Sequence, residues 1–275
     1  MFIIEKEDAV LGATISGMDL TAPMSPADIE ALKNALVEHQ VIFFRDQNLS
    51  HRDHRELGLA FGSPQFHPPY PTVEGYPEII ILENDRERPS KIDEWHTDMS
   101  FKPIPPMVGI LIGRIVPETG GDTAFSSLAS AYDDLPESTR KSLDGLTATH
   151  SISHGFKESL AEPGGRERLQ DAIDENPDEV HPVVRTHPLS GRKMIFVNRI
   201  YTSRINELSP QESDDLLSCL CDHLAQDKYV CRFSWQTNSI ALWDNRAVMH
   251  KPINDYWPAL RRMERITVND TQRPV

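Results

Sequence analysis

The pattern of apolar and polar positions changes period several times along this chain. Ser25 is placed to cap a helix, Pro26 suits its first position, and Asp28 and Glu30 complement its positive end. Ile29, Leu32 and Leu36 then mark one apolar face. Val41-Ile42-Phe43-Phe44 reads as a short buried strand, and 50–61 as a second helix stopped by Gly62. The stretch 62–77 carries Pro64, Pro68, Pro69 and Pro71, which predicts a shaped loop and a candidate lid. Strand character returns at 78–82 and again at 107–116, with a charged segment at 84–94 between them and a turn at 117–121. Helical material at 127–143 is interrupted at Pro136 and ended by Gly145. The charged stretch 155–182, with Gly164-Gly165, reads as an insertion or second lid. A hairpin follows at 183–185 and 194–198 around Pro188-Leu189-Ser190-Gly191. Ser209 to Glu212 forms a capping-box pattern for a helix that turns Leu216, Leu217, Leu220 and Leu224 inward. Strands are predicted at 230–235, 239–243 and 263–268. Many short strands with helices outside them predict a mainly β fold with flanking helices around a sandwich or jelly-roll core. No repeat or long linker divides the 275 residues, so 1–275 reads as one domain.

Charge narrows the partners. Lys plus Arg is 28 and Asp plus Glu is 42, a formal net charge of −14, and such a field repels a phosphate backbone. Nucleic acid is therefore an unfavourable partner, while a small anion in a locally basic pocket is still compatible. No apolar run is long enough to span a bilayer, and the first residues lack signal-peptide form. Cys219, Cys221 and Cys231 are an odd number in a short stretch, which argues for a reducing, cytoplasmic setting. Cys219 and Cys221 point different ways on a helix and read as packing or surface thiols, and His39, His51 and His54 as solvated residues on a polar helix surface.

Among eleven histidines, one has distinctive neighbours, in Trp95-His96-Thr97-Asp98. On extended chain, residues two apart point to one side, so His96 and Asp98 can aim at one point. Alone, such a pair is more often a surface hydrogen bond than a metal site. His250, after Trp243-Asp244-Asn245-Arg246, is the best distant partner. With it the set becomes two histidines and one carboxylate, a triad that leaves positions open on iron(II) for a 2-oxo acid and dioxygen. A dicarboxylate co-substrate also needs a planar cation, and Arg261, Arg262 and Arg265 lie just beyond His250. Arg261 and Arg265 share a face and Arg262 does not. Taken by themselves, the arginines read slightly better as a basic edge strand.

These blocks resemble the taurine dioxygenase group of iron(II)- and 2-oxoglutarate-dependent dioxygenases. The match is carried by Trp95-His96-Thr97-Asp98, Gly120-Gly121-Asp122-Thr123, the segment from His181 to Pro188, Trp243-Asp244-Asn245-Arg246 leading to His250, and Asn254-Asp255-Tyr256 with Arg261 and Arg265. The resemblance implies a double-stranded β-helix (jelly-roll) core with His96, Asp98 and His250 as iron ligands and catalytic centre. It implies that Thr123 and Arg261 bind 2-oxoglutarate, and that His67, Tyr70, the backbone at Met99, Phe156 and Arg265 border the substrate. The activity implied is hydroxylation of the carbon next to the sulfonate of taurine or a related alkyl sulfonate. Sulfite and an aldehyde are released, with succinate and CO2 from the co-substrate. Assembly as a dimer or tetramer is also implied.

Two positions depart from the family pattern. Ile92 stands where taurine-specific members carry an asparagine that helps hold the amine, and Tyr201 where an aromatic without a hydroxyl is expected. Both keep other small anions open as substrates, including an alkyl sulfate or an aryloxyalkanoate. A binding or sensing protein that keeps the fold and metal without turnover is the reading of a different class.

Overall fold

The computed structural model describes residues 2–66 and 70–275. An eight-stranded sheet forms its backbone, in the spatial order Ile3–Lys6, Ala13–Ser16, Val41–Phe44, Ile240–Asp244, Val108–Ile115, Arg261–Val268, Tyr76–Asn84 and Thr72–Val73. Its pairs are antiparallel except Ala13–Ser16 with Val41–Phe44, which run parallel. A three-stranded sheet of Val230–Phe233, Thr123–Ser127 and Val248–Pro252 provides the second wall, and Thr202–Ile205, Thr147–His150 and Glu179–Pro182 form another. This is the expected jelly-roll architecture, with most strand contacts made between distant parts of the chain.

Strand periodicity sorts the core into two layers. Val41, Phe43, Leu111, Ala241, Trp243 and Met263 turn inward to meet Phe125, Val248 and Met249 of the second wall. Their neighbours Ile42, Phe44, Ile110, Ile112, Ile240, Leu242, Ile266 and Val268 turn outward, beneath Leu32, Leu36, Leu57 and Phe61 of two helices. A residue's parity along these strands thus decides whether it faces the cavity or the helices. On Arg261–Val268 this places Arg261, Met263 and Arg265 inward and Arg262, Glu264 and Ile266 outward.

The helices form where capping and periodicity place them. Pro26–His39 begins at Ser25, whose side chain accepts from the Asp28 amide, and His51–Phe61 and Pro210–Leu224 both carry complete capping boxes, at Ser50 and Ser209. Helices Leu128–Asp133 and Glu137–Leu143 flank Pro136, as the proline predicts. In the helix from Pro210, Leu220 and Leu224 are buried, but Leu216 and Leu217 are only partly so, and Ser213 and Cys221 complete the buried face. The hairpin is present as Val184–Thr186 against Lys193–Ile195. Segment 155–182 holds the short helices Lys157–Ala161 and Gly165–Glu175, and its last residues belong to the sheet as Glu179–Pro182.

The histidines of the first two helices correct the expectation of a solvated surface. His54 is fully buried and His39 nearly so, while His51 is half-exposed and meets the Glu264 carboxylate at 3.2 Å. Position 54 shares a helix face with Leu57 and Phe61, and that face lies against the sheet. Neither His54 ring nitrogen makes a hydrogen bond of full geometry, the Ile110 backbone offering only a partial one. Burial, then the nearby Arg114 charge, lowers its pKa from 6.5 to about 3. The unfolded chain therefore takes a proton that the folded chain refuses, so this stability is present above about pH 6.5 and is lost as the pH falls towards 3. His54→Leu is expected to reduce the slope of unfolding free energy against pH by roughly 1 kcal/mol per unit in that window. Urea denaturation at a series of pH values measures it, and an unchanged slope would locate the acid sensitivity elsewhere.

Candidate active site

The second wall carries His250 in the middle of Val248–Pro252, within a strand and not after one. His96 lies outside the named strands, yet it exchanges both backbone hydrogen bonds with His250: His96 N to His250 O at 3.0 Å and the reverse at 2.8 Å. The pairing sets two imidazoles from distant parts of the chain side by side, with ring centroids 4.3 Å apart. Asp98 opens a turn and does not continue a strand. Its carboxylate still comes to the same side, 3.8 Å from His96 Nε2 and 4.0 Å from His250 Nε2.

The turn at Asp98 is held from below. Asn245 Oδ1 accepts from the Asp98 amide at 2.9 Å, and Asn245 Nδ2 donates to the carbonyls of Asp98 and Pro106 at 3.0 and 2.9 Å. Met99 follows with φ 50°, the left-handed conformation that turns the chain away from the site. Next to Asn245, the fully buried Asp244 accepts from Arg246 Nε and Nη2 and from His187 Nε2, at 2.8, 2.7 and 3.0 Å. Burial opposes its charge, but these hydrogen bonds hold it below the usual carboxylate range. The motif Trp243-Asp244-Asn245-Arg246 is therefore a brace for the site, a role its sequence pattern does not reveal.

Donor atoms of His96, Asp98 and His250 all lie within 4.8 Å of one another, and the three residues are buried. Burial lowers both imidazole pKa values, for His250 to about 3 with the neighbouring His96 adding to the effect, so both rings are neutral near pH 7. The His96 Nδ1 contact with the Glu94 carbonyl, 2.9 Å, requires a proton on that nitrogen and leaves Nε2 free to ligate. Two neutral imidazoles and one carboxylate at this spacing fit a divalent first-row metal.

The inward arginines have different surroundings. Arg261 is buried, forms no ion pair among the described residues, and its Nε has no hydrogen-bond partner. Its guanidinium lies 5.6 Å from the Tyr256 ring centre, and a Cβ on Gly121 would come within 3.2 Å of its Nε. Burial lowers its pKa, as expected of a cation short of a counter-charge. Thr123 Oγ1 accepts from Trp235 Nε1 at 2.9 Å, which leaves the threonine hydroxyl proton available to another acceptor. Arg265 instead reaches Asp98, with Nη1 at 3.2 and 3.3 Å from the two carboxylate oxygens, and its Nε is also unpartnered. Arg262 faces outward to Glu83 and Glu264.

Tyr201 packs edge-to-face on Phe101, the end of the Asp98 turn, at 5.0 Å. Gly155 lies against the same ring, with Phe156 next, between helices Ile152–Gly155 and Lys157–Ala161. Tyr70 is within electrostatic reach of the Tyr201 hydroxyl. Ile92 is exposed, and its carbonyl accepts from Asn254 Nδ2 at 2.7 Å and Ser90 Oγ at 3.2 Å. His67 lies outside the described residues.

Known proteins agree with this geometry. The family described as "Taurine catabolism dioxygenase TauD, TfdA family" matches residues 5–267. The chain belongs to this family. It is 34% identical over 262 residues to an alkylsulfatase of Acinetobacter baylyi, covering 94% of this chain and 82% of that one. It is 33% identical over 262 residues to an alpha-ketoglutarate-dependent sulfate ester dioxygenase of Pseudomonas putida, covering 94% and 86%. A crystal structure of a taurine dioxygenase from Burkholderia xenovorans superposes with a TM-score of 0.85 at 31% identity, covering 100% of this chain and 91% of that one. The protein is an iron(II)- and 2-oxoglutarate-dependent dioxygenase, and the buried triad and the unpaired Arg261 fit those two groups. No helix among the described residues is long and apolar enough to cross a membrane.

Asn245→Ala removes the clamp on Asp98 without touching a ligand atom. Affinity for Mn(II), measured by calorimetry, is expected to fall about 10- to 100-fold. An unchanged affinity would mean that the turn alone positions the carboxylate.

Proposed function

We propose that the protein hydroxylates the carbon bearing the sulfur-containing anionic head of a small alkyl substrate, a sulfonate or a sulfate ester. The observation that carries this reading is Arg265. It is inward-facing, beside the metal ligand Asp98, and has donor capacity left for a second anion. Arg261, buried and without an ion pair among the described residues, suits the distal carboxylate of 2-oxoglutarate together with the free hydroxyl proton of Thr123. Two separate guanidinium sites match two separate anions, the co-substrate and the substrate. The alkylsulfatase and sulfate ester dioxygenase relatives support a sulfur-based head group.

Iron(II), when bound, supplies the activation of dioxygen with oxidation of 2-oxoglutarate to succinate and CO2. The chain's own residues place the reactants. Arg265 anchors the head group so that the adjoining carbon faces the triad, while Tyr70, the Met99 backbone, Phe156 and Tyr201 border the same pocket. His67 belongs to this set through the family resemblance. The part of 155–182 that precedes the strand Glu179–Pro182 is suited to close over the substrate and exclude water. The end of 62–77 is instead tied into the eight-stranded sheet through Thr72–Val73 and Tyr76, and residues 67–69 lie outside the described residues. One oxygen atom enters the C–H bond, and the resulting hydroxylated carbon collapses to an aldehyde. A sulfonate then departs as sulfite and a sulfate ester as sulfate. Taurine itself is disfavoured, because Ile92 offers its amine no side-chain acceptor and the Ile92 carbonyl already accepts two hydrogen bonds.

Succinate formation under air with iron(II), ascorbate and 2-oxoglutarate tests this across taurine, alkyl sulfonates, alkyl sulfates and aryloxyacetates. Succinate is expected with sulfite or sulfate in equal amounts. Turnover of aryloxyacetates alone would move the head group to a carboxylate. Arg265→Ala is expected to raise the substrate KM about 30-fold or more and leave 2-oxoglutarate binding within about threefold. Arg261→Ala is expected to do the reverse, and equal losses in both variants would show the two anion sites to be wrongly divided.

A further inference from the structure

We infer that Tyr201 sets head-group specificity: its hydroxyl donates to the bridging oxygen of an alkyl sulfate, so the site prefers sulfate esters to sulfonates. This inference rests on the sulfur-anion reading of Arg265 and deepens it.

Tyr201 is held at a junction of three elements that border the pocket. Its amide donates to Asn198 Oδ1 at 2.9 Å, and Asn198 Nδ2 donates to Ser100 Oγ at 3.0 Å, which ties it to the turn that carries Asp98. Its carbonyl accepts from the Ser151 amide at 2.8 Å, at the cap of the helix Ile152–Gly155 that leads to the candidate lid. The ring is gripped between Phe101 and Gly155, where a Cβ would lie 2.6 Å from two ring carbons. A side chain larger than hydrogen at 155 would push the ring out of place, so the fold reserves this slot for the aromatic. The hydroxyl makes no hydrogen bond to a described residue, although burial, Tyr70 and Asp98 all suppress its ionisation, with Arg265 opposing. It is thus a donor left without a hydrogen bond to a described residue, on a ring packed against the turn that carries Asp98.

A sulfate ester and a sulfonate differ at one atom next to the carbon that reacts. In the ester an oxygen joins carbon to sulfur; in the sulfonate carbon bonds sulfur directly. A fixed donor beside the anion clamp pairs with the first and is left unsatisfied, or must compete with Arg265 for a head-group oxygen, with the second. The same bond assists the collapse of the hydroxylated product. There the C–O bond to the bridging oxygen breaks, its electron pair goes to sulfate, and the new hydroxyl becomes the aldehyde carbonyl as its proton leaves to solvent. The tyrosine keeps its own proton throughout and stabilises the charge gathering on the bridging oxygen.

The test compares kcat/KM for hexyl sulfate and hexane-1-sulfonate in the iron-loaded wild type and in Tyr201→Phe, which deletes one oxygen and keeps the ring. The wild type is expected to favour the sulfate about tenfold or more, and the variant to bring the ratio within about twofold, with the KM for 2-oxoglutarate unchanged. A wild-type preference for the sulfonate, measurable without any variant, overturns the inference, as does a sulfate preference that survives in Tyr201→Phe. In both cases the sulfur-anion reading stands. Turnover of neither compound overturns that reading and this inference together.

Discussion

The reciprocal backbone pair between His96 and His250 is the constraint on which the site depends. Two imidazoles far apart in the chain become cross-strand neighbours because each donates to and accepts from the other's peptide. Bringing such distant segments together costs loop-closure entropy that grows only slowly with length. The two core layers on either side of the eight-stranded sheet supply the compensating burial. Asn245 then extends the same logic by one residue. It sits two positions beyond Trp243 on the strand exit and clamps the turn of Asp98 by its backbone, so the carboxylate is free to face the metal.

Charge is distributed by strand parity. An acidic chain of net charge −14 nonetheless presents two inward guanidinium groups, because alternation along Arg261–Val268 separates the cavity face from the helix face. The outward members are neutralised on the spot: Glu264 meets Arg114 at 2.7 Å and His51 at 3.2 Å. Arg261 has no such partner among the described residues. Burying a cation without a counter-charge is costly, and a fold that tolerates it is organised to receive an anion. Arg265 occupies a middle position, in contact with the Asp98 carboxylate yet with a donor to spare.

Much of this was legible in the sequence where the signal is local. Ser25 and Ser209 marked two helix starts through capping chemistry, Pro136 split a helical stretch, and the hairpin around Gly191 announced itself by its turn residues. The strands Ile3–Lys6, Ala13–Ser16, Thr72–Val73, Thr123–Ser127, Thr147–His150, Glu179–Pro182, Thr202–Ile205 and Val248–Pro252 are not legible in the sequence. They are short, and several carry polar, histidine or proline residues whose strand state comes only from their partners. His54 misled for the same reason: a histidine on a charged helix looks solvated until the sheet beneath that helix is known.

By itself the sequence determined which ligand types were available, that Arg261 and Arg265 share a face from which Arg262 is excluded, and which family pattern they belong to. These follow from side-chain chemistry and from the fixed periods of strand and helix, which need no knowledge of neighbours. Tertiary structure alone decided that Asn245 carries the Asp98 turn, that Arg265 rests on Asp98 while Arg261 is left unpaired, and that Tyr201 is wedged between Phe101 and Gly155. Each of those facts is a relation between residues that only chain closure brings into contact, and no local period encodes it.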